Sequence, residues 1–166
     1  MMRRRLGTIP VLAITGAIMI ACHLVIHVFF VPGTGGTLLD FQLTGAAAEE
    51  ALMLLKSRPN AVGVHLYLSA GVDMVYPLSY GLFVAGVCIR YGGQHGVMLA
   101  VPILGAAAVD ISENIVQIIA LAGDTSVLWL KSILTPAKFV LAAIGSCLAI
   151  LAWARTTFSL RKTDQL

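Results

Sequence analysis

The sequence predicts an all-α fold, a membrane-spanning four-helix bundle with an amphipathic helix in its first extracytoplasmic loop. Three observations carry this expectation. Of the 166 residues, 58% are hydrophobic and only 11% charged, far from the roughly one quarter charged of a soluble domain. Four apolar stretches each reach the roughly 20 residues needed to cross a hydrocarbon core. Clusters of turn-forming residues separate them, with no internal repeat or low-complexity tract.

The spans run over about 9–31, 64–89, 97–122 and 127–154 of a single domain, residues 1–166. The first follows Arg3-Arg4-Arg5, and its Ala21-Cys22 faintly resembles a lipid-attachment site. The apolar run continues past Cys22 through Phe29 and Phe30 to Val31, a length that suits a retained span rather than a cleaved signal. Pro32-Gly33-Thr34-Gly35-Gly36 ends it. Thr44 is then placed to cap a short helix over about Gly45 to Lys56, with Glu49 and Glu50 near its start and Lys56 at its end, as the helix dipole favours. Ala47, Ala51, Leu52, Leu54 and Leu55 give that helix an apolar side too short to span, so it is expected to lie on the membrane interface or to cap the bundle. The second span, from Val64, stops at Arg90-Tyr91-Gly92-Gly93-Gln94-His95. The third, from Val97, stops at Gly123-Asp124-Thr125-Ser126, and the fourth runs from Val127 to Ala154. Such short turns hold neighbouring spans antiparallel. Tyr67, Trp129 and Trp153 lie near span ends and read as interfacial anchors.

Charge fixes an orientation and removes several function classes. Arg3, Arg4, Arg5, Arg90, Arg155, Arg161 and Lys162 fall on one side against Lys56 and Arg58 on the other. A multi-pass protein of the bacterial inner membrane is expected, and the bias puts both of its termini on the cytoplasmic side. A net charge of +3, with scattered Lys and Arg, speaks against a nucleic-acid surface. Cys22, Cys88 and Cys147 show no C-x-x-C spacing, so neither a zinc site nor a disulfide framework is expected. No phosphate loop, nucleophile motif or cofactor fingerprint is present, and no cofactor is expected.

Five charged residues fall inside the spans: Asp73, Asp110, Glu113, Lys131 and Lys138. At about 2.5–3.5 kcal/mol each near the bilayer centre, they would together cost about 12–17 kcal/mol facing lipid, so mutual pairing inside the bundle is close to obligatory. Their spacing agrees. Asp73, Tyr76 and Tyr80 form one stripe, Asp110, Glu113, Asn114 and Gln117 a second, Lys131, Thr135 and Lys138 a third, and His23 with His27 a fourth. Counted at about 1.5 Å per residue, these groups occupy the midplane and the outer half. They predict a polar funnel opening outward above a sealed apolar inner half that includes Val84 to Val87 and Ile144 to Ile150. Pro77, Pro102 and Pro136 free the carbonyls of Asp73, Met98 and Ser132, which need other partners. Three acids against two lysines leave one negative charge over, so one carboxyl is expected to keep its proton, or His23 or His27 to gain one. His23 and His27 could ligate a metal with a carboxylate from another helix. No H-E-x-x-H context accompanies them, and no metal is expected.

Asp73-Met74-Val75-Tyr76-Pro77 with Tyr80, then Asp110-Ile111-Ser112-Glu113-Asn114, then Lys131 and Lys138, resemble a pattern in bacterial four-helix membrane proteins that carry no assigned activity. The order of a first span, an outward amphipathic segment and an acid-and-proline-bearing second span also resembles the EXPERA group of sterol isomerases and sterol-binding receptors. That resemblance is one of layout and implies a lipid-shaped cavity with buried acids. It transfers no catalytic residue.

The residues point first to a pocket for a lipid or isoprenoid-like ligand. Asp73, Asp110 and Glu113 are the candidate catalytic proton donors or acceptors, and Tyr76, Tyr80, Asn114, Lys131, Lys138 and His23 the candidate ligand-binding residues. As an enzyme, the chain would be a proton-transfer isomerase or cyclase. The alternatives are a small proton-coupled transporter and a non-enzymatic assembly or accessory subunit. Membrane lipid is the expected partner, with a second copy of the chain as a further candidate. Reporter fusions test the orientation: alkaline phosphatase should be inactive at either terminus and active when inserted after Gly36, and the opposite pattern refutes the assignment.

Overall fold

The computed structural model describes residues 6–30, 46–58 and 60–163. Thr44, the Pro32 to Gly36 turn and Arg3, Arg4 and Arg5 lie outside them, as do the side chains of Glu49, Arg161 and Lys162. Among the described residues there is no strand. The elements are α1 (Ile9–Val25) with a π-helical turn over Ile26–Phe30, α2 (Ala46–Lys56), α3 (Ala61–Ala70), α4 (Val72–Tyr91), α5 (Gly96–Leu121) and α6 (Lys131–Thr163). Turns of 3-10 helix over Gly93–His95 and Thr125–Leu130 lead into α5 and α6. Four stretches are long and apolar enough to cross a membrane: Ile9–Val28, Ala61–Tyr91, Gly93–Leu121 and Thr125–Phe158.

Local sequence explains the boundaries. Pro10 stands in the first turn of α1, where its missing N–H costs nothing. Gly71, with φ −107° and ψ −91°, is neither helical nor extended and divides the second span into α3 and α4. Its N–H donates to the Tyr67 carbonyl (3.1 Å) and its carbonyl accepts from the Met74 N–H (3.1 Å), so the chain kinks there without parting. Asp73 thereby falls in the first turn of α4, the end of a helix that favours an acid. Before α6, the Asp124 carboxylate accepts from the Ser126 backbone N–H (3.0 Å) and hydroxyl, which hold it below the usual carboxylate range.

Contacts identify the two ends of the bundle. At one, Leu52 and Leu55 of α2 are buried with Ala61, Ala120, Leu121 and Leu128, so the short loop helix sits on the ends of α3, α5 and the turn before α6. Leu54, grouped with the apolar side in the sequence, points away together with Met53. At the opposite end Arg90 Nη1 donates to the Gly7 carbonyl (3.0 Å) and Thr156 Oγ1 to the Tyr91 carbonyl (3.0 Å). The start of α1, the end of α4 and the last turns of α6 therefore meet.

Between the ends α5 packs on both α4 and α6, while α1 packs chiefly along α4. Small residues let the backbones approach, the usual device where no water drives helices together. A Cβ at Gly145 of α6 would lie 2.7 Å from Ile103 Cβ and 2.8 Å from its backbone nitrogen, and one at Gly86 of α4 would lie 2.8 Å from the Leu6 carbonyl oxygen. Ala85, Cys88, Ala100, Ile103, Ala106 and Ala149 close the interior of the opposite half. The expected apolar seal holds in that interior, but α1 and α6 leave a groove between them on the outside of it. Replacing Gly145 by Leu should force α6 off α5 and lower stability by about 1–3 kcal/mol, read as a lower melting temperature in detergent. Gly63→Ala, where a new Cβ meets nothing within 4 Å, should leave it unchanged or slightly raised.

Candidate functional site

The polar stripes converge, beginning with the contact between α5 and α6. Glu113 is 1% exposed and Lys131 fully buried. Lys131 Nζ lies 3.2 Å from Glu113 Oε1, and Lys138 Nζ lies 2.7 Å from Glu113 Oε2 and 2.9 Å from Asp110 Oδ1. Thr135 Oγ1, one turn from each lysine, donates to Glu113 Oε1 at 2.8 Å. Two lysines and two carboxylates thus neutralise one another in a water-poor interior, the arrangement that makes buried charge tolerable.

The network reaches two further helices. Lys131 donates to Gln117 Oε1 at 2.9 Å. An ammonium can only donate, so the Gln117 amide is fixed with Nε2 on its other side, where it meets Ser69 Oγ (3.1 Å) and His65 Nε2 (2.6 Å) of α3. His65 Nε2 must then accept, which puts the imidazole proton on Nδ1. On α4, the Tyr80 hydroxyl donates to Asp110 Oδ2 at 3.1 Å.

Asp73 stands apart. Among the described residues it takes part in no ion pair, so it is the carboxylate for which the count of three acids and two lysines leaves no partner. Its backbone is held instead: Asn114 Nδ2 donates to the Asp73 carbonyl at 2.6 Å. Pro77, four residues on, cannot fill that acceptor, and the side chain of another helix does so.

A cavity of about 440 Å³ lies between α1 and α6, floored by α4 and α5. Its polar wall is His23, His27, Asp73, Tyr76, Tyr80, Asp110 and Lys138; its apolar wall includes Met19, Ile26, Val84, Ile103 and Phe139. The His23 and His27 rings meet edge to face at 4.4 Å, His23 and Tyr76 are 6.1 Å apart, and Tyr76 and Tyr80 5.4 Å apart. A second cavity of about 470 Å³ shares Val84 and Ser146 with the first. It continues towards the opposite end past Leu12, Phe83, Val87, Ile150 and Trp153. The two form one groove, polar at one end and apolar along the rest.

Of the residues singled out in the sequence, Asp73, Tyr76, Tyr80, Asp110, Lys138 and His23 face this groove. Glu113, Lys131 and Asn114 do not: they are buried behind it, Lys131 paired with Glu113, Glu113 paired with Lys138 beside Asp110, and Asn114 holding the backbone of Asp73. His65 and Ser69 were not anticipated. Their signal was present as the spacing His65, Ser69, Asp73, which extends the α4 stripe by two turns. Among the described residues, no three His, Cys, Asp or Glu side chains are grouped as a metal ion would require. No family model, curated protein or solved structure matches the chain.

Removing one member of the buried quartet should be costly. Lys131→Met leaves Glu113 and the Gln117 amide short of a partner and is expected to destabilise by about 3–5 kcal/mol. Adding Glu113→Gln should cost less than the sum of the two single changes. Unfolding in detergent by denaturant titration measures both; additive effects would show that the pair is not coupled.

Proposed function

We propose that the protein lies in a membrane and binds a lipid or isoprenoid-like molecule in the α1–α6 groove, its polar end beside Asp73 and its apolar chain along the second cavity. The observation that carries this reading is the polarity of the groove. A carboxylate without a cation, two imidazoles and two phenols stand at one end, and an almost wholly apolar channel leads away from them. Combined, the cavities fall within the several hundred Å³ typical of small-molecule sites lined by apolar groups and a few convergent polar ones. The outward faces support membrane insertion: Ile14, Ile18, Leu104, Val140 and Leu151 are all exposed, as are the anchors Tyr67, Trp129 and Trp153. So does the quartet, whose charges face the interior rather than the surface. The Lys and Arg bias supports cytoplasmic termini, and the resemblance of the Asp73, Asp110 and Lys131 motifs to those of bacterial four-helix proteins supports the bacterial inner membrane.

Beyond binding, such a site can move a proton. Asp73 reaches the groove without a counter-ion and is the group best placed to take a proton from a ligand or give one to it. Tyr80, held by Asp110, and His23 stand on the same wall. With no nucleophile motif, an isomerisation or cyclisation that shifts a proton within an unsaturated chain is the chemistry that suits these groups. Met53 and Leu54, exposed on α2, suit contact of that helix with the membrane interface while Leu52 and Leu55 hold it to the bundle.

Mild purification followed by mass spectrometry of retained small molecules tests the reading. The wild type should carry a lipid-like species, and Asp73→Asn should reduce its occupancy about tenfold or more, the value of a hydrogen bond to a charged group. A wild type that retains no such species, with Asp73→Asn folding normally, overturns the proposal.

A further inference from the structure

A further cavity adjoins the apolar end of the groove, with Tyr91 on both walls, at the end of the bundle where α1 begins and α6 finishes. It encloses about 640 Å³ between the turn joining α4 to α5 and the last turns of α6. Among the described residues its polar wall carries Gln94, His95 and Arg155 and no carboxylate, and its apolar wall carries Leu99, Leu148 and Leu151. Arg155 takes part in no ion pair among the described residues. Leu151 is 65% exposed on the outer surface of the bundle, and Trp153 beside it is half exposed. An indole at this position marks the boundary between chains and head groups, which puts the Arg155 guanidinium at head-group depth with the leucines below it.

The walls are also firmly set. A Cβ at Gly92 would lie 2.5 Å from the Cys88 carbonyl oxygen and one at Gly96 would lie 2.8 Å from Ile89 Cα, so only bare backbone fits this tight turn. Thr156 Oγ1, bonded to the Tyr91 carbonyl, ties α6 to the turn across the mouth of the cavity. His95 is held by Gln94, with Nε2 of each side chain 3.0 Å apart.

We infer that this cavity is a binding site for an anionic phospholipid, with the phosphate against Arg155 and His95 and one acyl chain along Leu99, Leu148 and Leu151. The charge selects the occupant. A guanidinium and an imidazole without a carboxylate on the wall suit a phosphate, a planar fork being the donor geometry best matched to its oxygens. The leucines suit a chain, so a phosphate-bearing lipid satisfies both walls, whereas free phosphate leaves the apolar one bare. Basic pockets between helices at this depth are suited to anionic head groups. The inference needs the bundle to lie in a bilayer but does not need the α1–α6 groove to hold a ligand.

The test is native mass spectrometry of the full chain in mild detergent, with dioleoyl phosphatidylglycerol or dioleoyl phosphatidylcholine added at equal concentration. The two lipids share their chains, so occupancy of the other groove contributes equally to both arms. The wild type should retain phosphatidylglycerol about fivefold more than phosphatidylcholine, the preference one well-placed basic residue provides. Arg155→Gln combined with His95→Gln should bring the two lipids to equal retention, and Arg155→Lys should keep part of the preference. Arg90→Gln removes the same charge at the same end but from outside the cavity, and should leave the preference intact. Excess inorganic phosphate should fail to displace the lipid. Equal retention by the wild type, an Arg90→Gln effect as large as that of the double variant, or displacement by phosphate alone would each overturn the inference.

Discussion

A carboxylate deep in an apolar bundle stays ionised only if something with opposite charge reaches it, and here that demand falls on Glu113. It pairs with Lys131 and Lys138 and accepts from Thr135 at once, and the two lysines donate in turn to Gln117 and Asp110, its neighbours on the same stripe. Through Lys131 and Gln117 the demand extends to His65 and Ser69 of α3, and through Lys138 and Asp110 to Tyr80 of α4. Two further helical segments are therefore joined to the α5–α6 pair by directed bonds that have no substitute in a low-dielectric interior. The first helix is not part of this set. It is held along α4 by close apolar contacts, Gly16 against Phe83 and Gly86 against Leu12, and by the Arg90 bond to Gly7 at its start. The groove lies along this difference, with α1 as one bank and the polar-locked helices as the other.

Within that scheme Asp73 is the exception, a groove carboxylate outside the ion-paired set. Among the described residues the other four charges of the interior are paired with neighbours, while Asp73 has the favourable end of α4 and a backbone carbonyl fixed by Asn114. The arrangement separates two roles that the sequence had assigned to one group of acids. On the ligand reading, Glu113 serves the structure, Asp110 is shared between structure and groove, and Asp73 is the described acid outside the ion pairs that faces whatever enters.

The spans were legible in the sequence because length and hydropathy are one-dimensional properties, and runs such as Ile9 to Val28 need no partner to be recognised. The stripes were legible because helical spacing places Asp110, Glu113, Asn114 and Gln117 on one face whatever that face meets. The partition among those residues was not legible. Which lysine reaches which carboxylate depends on how α5 and α6 slide past each other, and that offset is set by Gly145 resting on the backbone of Ile103, a contact 42 positions apart in the chain. His65 escaped notice because it stands almost at the expected start of the second span and is separated from the Asp73 stripe by the kink at Gly71. The expected apolar seal came from reading each helix alone. It could not register that α1 leans on α4 rather than on α6 and so leaves a passage beside a closed interior.

The two halves of that passage meet only at Val84 and Ser146. On the ligand reading, any chain anchored at Asp73 must pass this waist to reach Trp153, and the hydroxymethyl group at 146 is among the smallest side chains that could stand there. The waist would then serve as a ruler. On that reading the bulk of one residue, outside the ion-paired quartet, would set whether the groove takes a short molecule or a long one, and a change there would alter the accepted length without disturbing a buried ion pair.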